Sequence, residues 1–266
     1  MTSVQTRTLA KTLIGSTLAI SIPMGLSGCG ASEEDQTTLT SPVQAVTTLL
    51  QQPDGTVEAE LVLISTAVKP NVFVDSATDV AVRIPGGALV PLDRTSEGHY
   101  TSDSEIDPNL TYQVNEAYQF RFQLEDELAS QVSGGNFVAV MTAPGHEPTF
   151  EFSDFPDFAG DNSAISWTPT NAYGMITIYN QEGEQVYANF DFSQPAFNGS
   201  KWARLTWGGN KTLGVDVFQE PGTYTIEFCA VDKVSGFNSD LSAELGALSG
   251  FLIGRCAEPQ MIDVIE

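Results

Sequence analysis

The residues of this chain with the most chemistry to offer are three cysteines, two histidines and three tryptophans. A thiol can act as nucleophile, metal ligand or half of a disulfide. Cys229 and Cys256 have no histidine near them in sequence and no Cys-x-x-Cys spacing, so metal and dithiol redox roles are poorly supported. His99 and His146 are far apart, and His146 sits in a proline- and glycine-rich stretch. The chain has no Gly-x-Ser-x-Gly, no His-Glu-x-x-His and no phosphate-cradling glycine loop. The sequence therefore assigns no catalytic residue and no enzymatic reaction, and both histidines are expected in solvated loops. Carboxylates are abundant, yet nothing singles out the acid and nucleophile that a glycosidase requires.

Two stretches could bind without catalysing. In Lys201-Trp202-Ala203-Arg204-Leu205-Thr206-Trp207 the indoles are five residues apart. In one unbroken strand Trp202 and Trp207 face opposite sides, so one ring lies outside the core. That ring could stack on a sugar, clasp a protein partner, or pack against another part of the chain. In Asp154-Phe155-Pro156-Asp157-Phe158-Ala159-Gly160-Asp161 three carboxylates recur at spacings of three and four. Asp154, Asp157 and Asp161 offer the oxygen ligands that calcium takes, the one cofactor the sequence suggests. The spacing is not that of an EF-hand, and an Asp-rich turn is the structural alternative.

The N-terminus reads as an address. Arg7 and Lys11 form a basic region, Leu13 to Leu26 is a mostly apolar run, and Ser27 and Gly28 are small. The run is short, and Gly15, Pro23 and Gly25 interrupt it, so it is a poor match to the roughly 20 apolar residues of a spanning helix. Leu26-Ser27-Gly28-Cys29 resembles the lipobox of bacterial lipoproteins. That resemblance implies cleavage before Cys29, acylation of its thiol and usually of the new amine, and anchoring to the lipid bilayer through Cys29; two or more acyl chains hold stably where one is marginal. Gly30 follows the cysteine and no Asp stands there, which favours an outer-membrane address in the cell envelope over inner-membrane retention. Residues 29–42 are then the lipidated N-terminus and a small, polar, acidic tether.

Composition limits the partners. The formal charge is −23, and loss of residues 1–28 removes two basic residues and no acidic one. Such a field repels phosphate backbones, so nucleic acid is excluded as a partner, and membrane contact is expected from lipid alone. In an oxidising compartment, with Cys29 taken by lipid, Cys229 and Cys256 are expected to pair. The remaining partner is an unidentified envelope protein or glycan.

The elements that must position these residues read as strands. Val57, Ala59, Leu61 and Leu63 alternate with Glu58, Glu60 and Val62, predicting one wet face; Tyr118, Phe120, Phe122 and Leu124 alternate with Gln119, Arg121, Gln123 and Glu125. Val43 to Leu50 fits a short helix or a first strand, and Pro53-Asp54-Gly55 and Pro85-Gly86-Gly87 mark turns. Residues 43–145 are expected to form one antiparallel β-sandwich. Ala143-Pro144-Gly145-His146-Glu147-Pro148 marks the boundary, and residues 146–266 form the second sandwich with a C-terminal extension. One continuous large sandwich is the alternative.

The second half carries Ile165-Ser166-Trp167-Thr168-Pro169, Met175-Ile176-Thr177-Ile178-Tyr179 and Pro221-Gly222-Thr223-Tyr224-Thr225-Ile226-Glu227-Phe228-Cys229. These stretches resemble the B, C and F strands of fibronectin type III and related immunoglobulin-like sandwiches. The resemblance implies that Trp167 plugs the space between sheets and that Tyr224 forms a tyrosine corner. Cys229 has opposite parity to Tyr224, Ile226 and Phe228, so it should face away from their core. Leu241, Leu245, Leu248 and Leu252 have helical spacing behind Asp240 as a cap, with an irregular apolar loop as the alternative. The fold class is thus all-β, and the function expected is binding or assembly at the envelope; an accessory to a secreted hydrolase and a structural spacer are the alternatives.

Overall fold

The computed structural model describes residues 43–65, 72–73, 77–124, 136–190, 205–235 and 250–266. The signal and tether with Cys29, the indole of Trp202, and Asp240, Leu241, Leu245 and Leu248 lie outside the described residues.

In the first half the strands are β1 (Val43–Gln51), β2 (Val57–Ser65), β3 (Val72–Phe73), β4 (Ala77–Arg83), β5 (Leu89–Pro91), β6 (Asp93–Ser96), β7 (His99–Asp103), β8 (Ala117–Leu124) and β9 (Asn136–Thr142). Their spatial order is β1-β2-β7-β6 in one sheet and β5-β4-β8-β9 in the other. In the lettering of an immunoglobulin-like sandwich this is A-B-E-D facing C′-C-F-G. Ala59, Leu61 and Leu63 meet Phe120, Phe122 and Phe137 in the core between the sheets. The expected turns are present. Gly55, Gly86 and Gly87 all have positive φ, and Asp54 accepts from the Thr56 N–H at 2.9 Å, which holds its carboxyl below the ordinary range.

The second half contains β10 (Thr149–Asp154), β11 (Ser163–Thr168), β12 (Tyr173–Tyr179), β13 (Gln185–Ala188), β14 (Thr206–Trp207), β15 (Asn210–Leu213), β16 (Gly222–Ser235), β17 (Gly250–Cys256) and β18 (Gln260–Val264). The order β10-β11-β15 faces β13-β12-β16-β18, again A-B-E against C′-C-F-G. Trp167 is buried between these sheets with Ile176, Ile226 and Phe228. Gly174 makes the space for it, since a methyl group there would lie 2.9 Å from the indole and 3.1 Å from the Phe228 ring.

The two halves share a sheet. The first part of β16 pairs with β18, the second part with β17, and β17 then runs parallel to β1 from Val46↔Gly250 to Gln51↔Arg255. Eleven strands among the described residues belong to this sheet, and Thr38–Glu266 is one compact unit. The first core, otherwise built from residues 45–143, takes Phe251 and Ile253 from β17.

Two sequence expectations change as a result. The outer face of β2 is not wet throughout: Val62 and Ile64 are buried with Val46, Leu252, Phe190 and Leu205. A sheet covered on both faces reads as a continuous apolar run. For the same reason Leu252 belongs to no helix. It lies in β17 between Phe251 and Ile253, which point into the first core while Leu252 points to the opposite face. Burying each such side chain contributes roughly 1.5–3 kcal/mol.

Candidate functional site

Trp207 is the described indole outside the core, 55% exposed, whereas Trp167 is 3% exposed. It is positioned from the backbone up. Short strand β14 pairs with the start of β12, Trp207 opposite Tyr173. Gly208 and Gly209 follow with φ of 104° and 81°, a turn that side chains disfavour. The Gly209 carbonyl accepts from the Trp167 backbone N–H at 2.8 Å, so the outward indole is tied to the strand bearing the inward one. The rings of Trp207 and Tyr173 lie 4.9 Å apart at 59°. On the neighbouring strand, Lys233 Nζ stands 5.4 Å from the Tyr173 centroid, and burial holds its ammonium below the usual lysine range. Two aromatic rings and a partly desolvated cation make a platform suited to a π-face, a sugar face or an acidic group.

Cys229 and Cys256 form the expected disulfide. They are directly opposite on β16 and β17, with Cα atoms 3.9 Å apart. The parity argument holds: Phe228 and Ile226 lie in the second core, while Cys229 packs beside the shared core that contains Val231 and Leu252.

Among the described residues no three His, Cys, Asp or Glu side chains group to hold a metal ion, Asp154, Asp157 and Asp161 included. Asp161 instead accepts from the Phe158 N–H at 3.0 Å, and the Asp157 carbonyl accepts from the Ile265 N–H at 3.1 Å. Asp157 and Asp161 thus hold a turn beside Ile265.

Neither histidine is a freely solvated loop side chain. His99 opens β7, with Nδ1 3.3 Å from a Glu60 carboxylate oxygen and the ring edge-on to Phe73 at 4.4 Å. His146 lies where the halves meet, and its Nε2 is buried without a hydrogen-bond partner. Around that joint Tyr112 donates to the Pro144 carbonyl at 3.1 Å, and Arg255 lies 3.5 Å from Glu147. Burial pushes the Tyr112 hydroxyl far up and raises the Asp232 carboxyl, the latter opposed by His146. Proline-rich sequence signals a linker, but here both prolines, Pro144 and Pro148, are buried.

A feature the sequence reading missed is a second tyrosine corner. Tyr224 donates to the Glu220 carbonyl at 2.7 Å, as expected. Tyr118, at the start of β8, donates to the Thr111 carbonyl at 2.6 Å and accepts from the Gln113 N–H at 2.6 Å. The available signal was the same as for Tyr224, a turn just before a tyrosine that begins an alternating strand.

No protein-family model and no curated protein matches the chain. Among solved structures it is similar to the FN1–FN3 domains of chicken CNTN1, with 12% identity, 85% of this chain and 69% of that chain covered, and a TM-score of 0.25. A central fibronectin-III array of RIM-binding protein gives 12%, 85%, 69% and 0.22. A mutant of Salmonella alpha-2-macroglobulin gives 11% identity and a TM-score of 0.26, covering 84% of this chain and 14% of the other. The assignment rests instead on strand order and the buried Trp167. The chain is an all-β protein of fibronectin type III-like, immunoglobulin-like sandwich architecture.

Proposed function

We propose that this is a lipid-anchored protein of the cell envelope with a binding or assembly role, held to the outer membrane through acylated Cys29. The observation that carries the binding role is Trp207, a large ring kept in solvent by a glycine turn and braced by Tyr173. An exposed, pre-positioned aromatic loses little entropy when a partner covers it. Support for the anchor comes from the sequence of residues 7–29 alone.

The test places a photo-crosslinking phenylalanine analogue at position 207 in the full chain and irradiates intact membranes. A discrete adduct with an envelope protein is expected; irradiation that yields no adduct would overturn the assembly role. The Trp207–Tyr173 pair also favours a second reading, carbohydrate binding, which predicts a fluorescence shift on a glycan panel that disappears in Trp207→Ala. The anchor is checked separately, since Cys29→Ala should accumulate an uncleaved precursor, and normal processing of that variant would refute it.

A further inference from the structure

At the end of the second sandwich a group of apolar side chains stays in solvent. Phe155 is 45% exposed, Phe158 50% and Ile265 56%. They are not loose. Phe158 bridges to Ile265, Ala159 donates to the Ile265 carbonyl at 3.0 Å, and Gly160 donates to the Phe218 carbonyl at 2.7 Å. The Phe155 ring lies 5.4 Å from Phe152, which packs on the second core. Phe158 and Ile265 are thus neighbours, and contiguous exposed apolar side chains rimmed by polar residues mark interaction surfaces.

Beside them is a cavity of about 320 Å³ lined in part by Glu182, Glu184, Asp216 and Glu220. Val217, next to Phe218, belongs to the same lining, so the cavity adjoins the Phe158–Ile265 turn. The Asp263 carboxylate, one residue before Val264, accepts from Thr223 of that lining at 2.7 Å. The segments 154–161, 180–186, 214–224 and 260–266 contain no Lys, Arg or His. Every ionisable charge they present is therefore a carboxylate at neutral pH.

Charge then selects the occupant. A second copy of this chain would bring two acidic rims together, and that like-charge repulsion opposes the apolar contact. An anionic lipid surface is repelled for the same reason. We propose that this end of the second sandwich docks a basic polypeptide segment that carries large apolar side chains. Its apolar residues would cover Phe155, Phe158 and Ile265, and a Lys or Arg would enter the carboxylate-lined cavity. The inference rests on the binding reading above and names a partner chemistry and a surface distinct from Trp207.

The test uses the full chain in detergent and isothermal titration calorimetry at 0.15 M salt. The probes are a ten-residue peptide alternating Lys and Leu and one alternating Lys and Ser. The Lys-Leu peptide is expected to bind at least tenfold more tightly than Lys-Ser. Phe155→Ser with Phe158→Ser should weaken it tenfold or more. Glu182→Gln with Glu184→Gln, which leaves every apolar residue in place, should weaken it several-fold and flatten its salt dependence. No binding, equal binding of the two peptides, or Lys-Leu binding untouched by the Gln pair would overturn the proposal, as would capture of anionic phosphatidylglycerol vesicles through the two phenylalanines. Failure here leaves the adduct at position 207 unaffected, so the two readings fail separately.

Discussion

Gly254 is the residue on which the union of the two halves most narrowly depends. It lies in β17, opposite Val231 of β16 on one side and Leu50 of β1 on the other. A methyl group on it would overlap the Ala230 carbonyl oxygen and lie 2.7 Å from Val231 Cγ1 and 2.8 Å from Val231 Cα. Ordinary carbon contacts are about 3.5–4.0 Å, and two of these obstacles are backbone atoms that no rotamer change removes. Overpacking a core typically costs about 1–3 kcal/mol, and backbone against backbone puts Gly254→Ala near the top of that range. For a chain of this size about 3 kcal/mol lowers Tm by roughly 6–12 °C. The assay is a thermal melt followed by far-ultraviolet circular dichroism and by fluorescence, with hydrogen exchange on β1 and β17. Protection should fall first at the Val46–Gln51 ladder. A Tm within about 2 °C of the parent, with that ladder still protected, would refute the reasoning.

Four further outcomes follow from the same structure. Tyr118→Phe leaves the Thr111 carbonyl and Gln113 N–H without their partner and should cost about 1–3 kcal/mol in a urea melt, and Tyr224→Phe a comparable amount. Cys229→Ser with Cys256→Ser opens a disulfide of sequence separation 27 and should cost about 3.5 kcal/mol in the chain-entropy model, read from the same melts. Asp232 has a folded pKa raised above 3.8, chiefly by burial; the fold binds its proton more tightly than the unfolded chain does, so stability falls as pH rises through that window. Asp232→Asn should therefore raise Tm at pH 7 and lose that advantage near pH 3.5, as differential scanning calorimetry at the two pH values will show. Residues 43–145 expressed alone lack Phe251 and Ile253, worth roughly 3–6 kcal/mol of burial against the 5–15 kcal/mol of a whole domain, and should give poorly dispersed amide spectra; a cooperative melt of that fragment would contradict the shared core.

What was legible in the sequence is what is local. Trp167 and Tyr224 sit in alternating strands, and the resemblance of those strands to a fibronectin type III pattern implied a buried indole and a tyrosine corner, which the structure completes with the Glu220 carbonyl as acceptor. The disulfide was expected by count, from two cysteines left over in a chain read as exported, and parity gave the face on which Cys229 lies. The parallel pairing of β1 with β17 had no such signal, because partners about two hundred residues apart leave no short pattern; Thr47 reaches the Gly250 carbonyl across a separation of 203. One trace did exist. Val62 and Ile64 fall on the face of β2 where Glu58 and Glu60 predict solvent, and apolar residues at consecutive outward positions imply a second cover. Likewise Phe251-Leu252-Ile253 is too short to distinguish strand from helix by period, so the sequence could not place Leu252 in a strand. Of the candidate site, Trp207 was named but its exposure was not decidable, since two indoles competed for one inward position.

The shared strand also bears on how the chain can be assembled. Without β17, the first sandwich would end at β1 with a row of unpaired backbone groups, the edge that invites pairing with other chains. Proteins usually blunt such an edge with charge, proline or a bulge close by in sequence. Here β1 reads Val43-Gln44-Ala45-Val46-Thr47-Thr48-Leu49-Leu50-Gln51, with none of these, and Val46, Thr47 and Leu49 are buried in the finished fold. Protection comes instead from residues 250–256, a sequence separation of 203 from Thr47 to Gly250 in a chain made N-terminus first. The first sandwich thus cannot close its edge before the last strands of the second have formed, and the long β16 that delivers β17 to it is anchored in the core around Trp167. Fusion through one strand gives the two sandwiches a common sheet, and it explains why the apolar run Phe251-Leu252-Ile253 is carried by the segment that looked least like part of a fibronectin type III pattern.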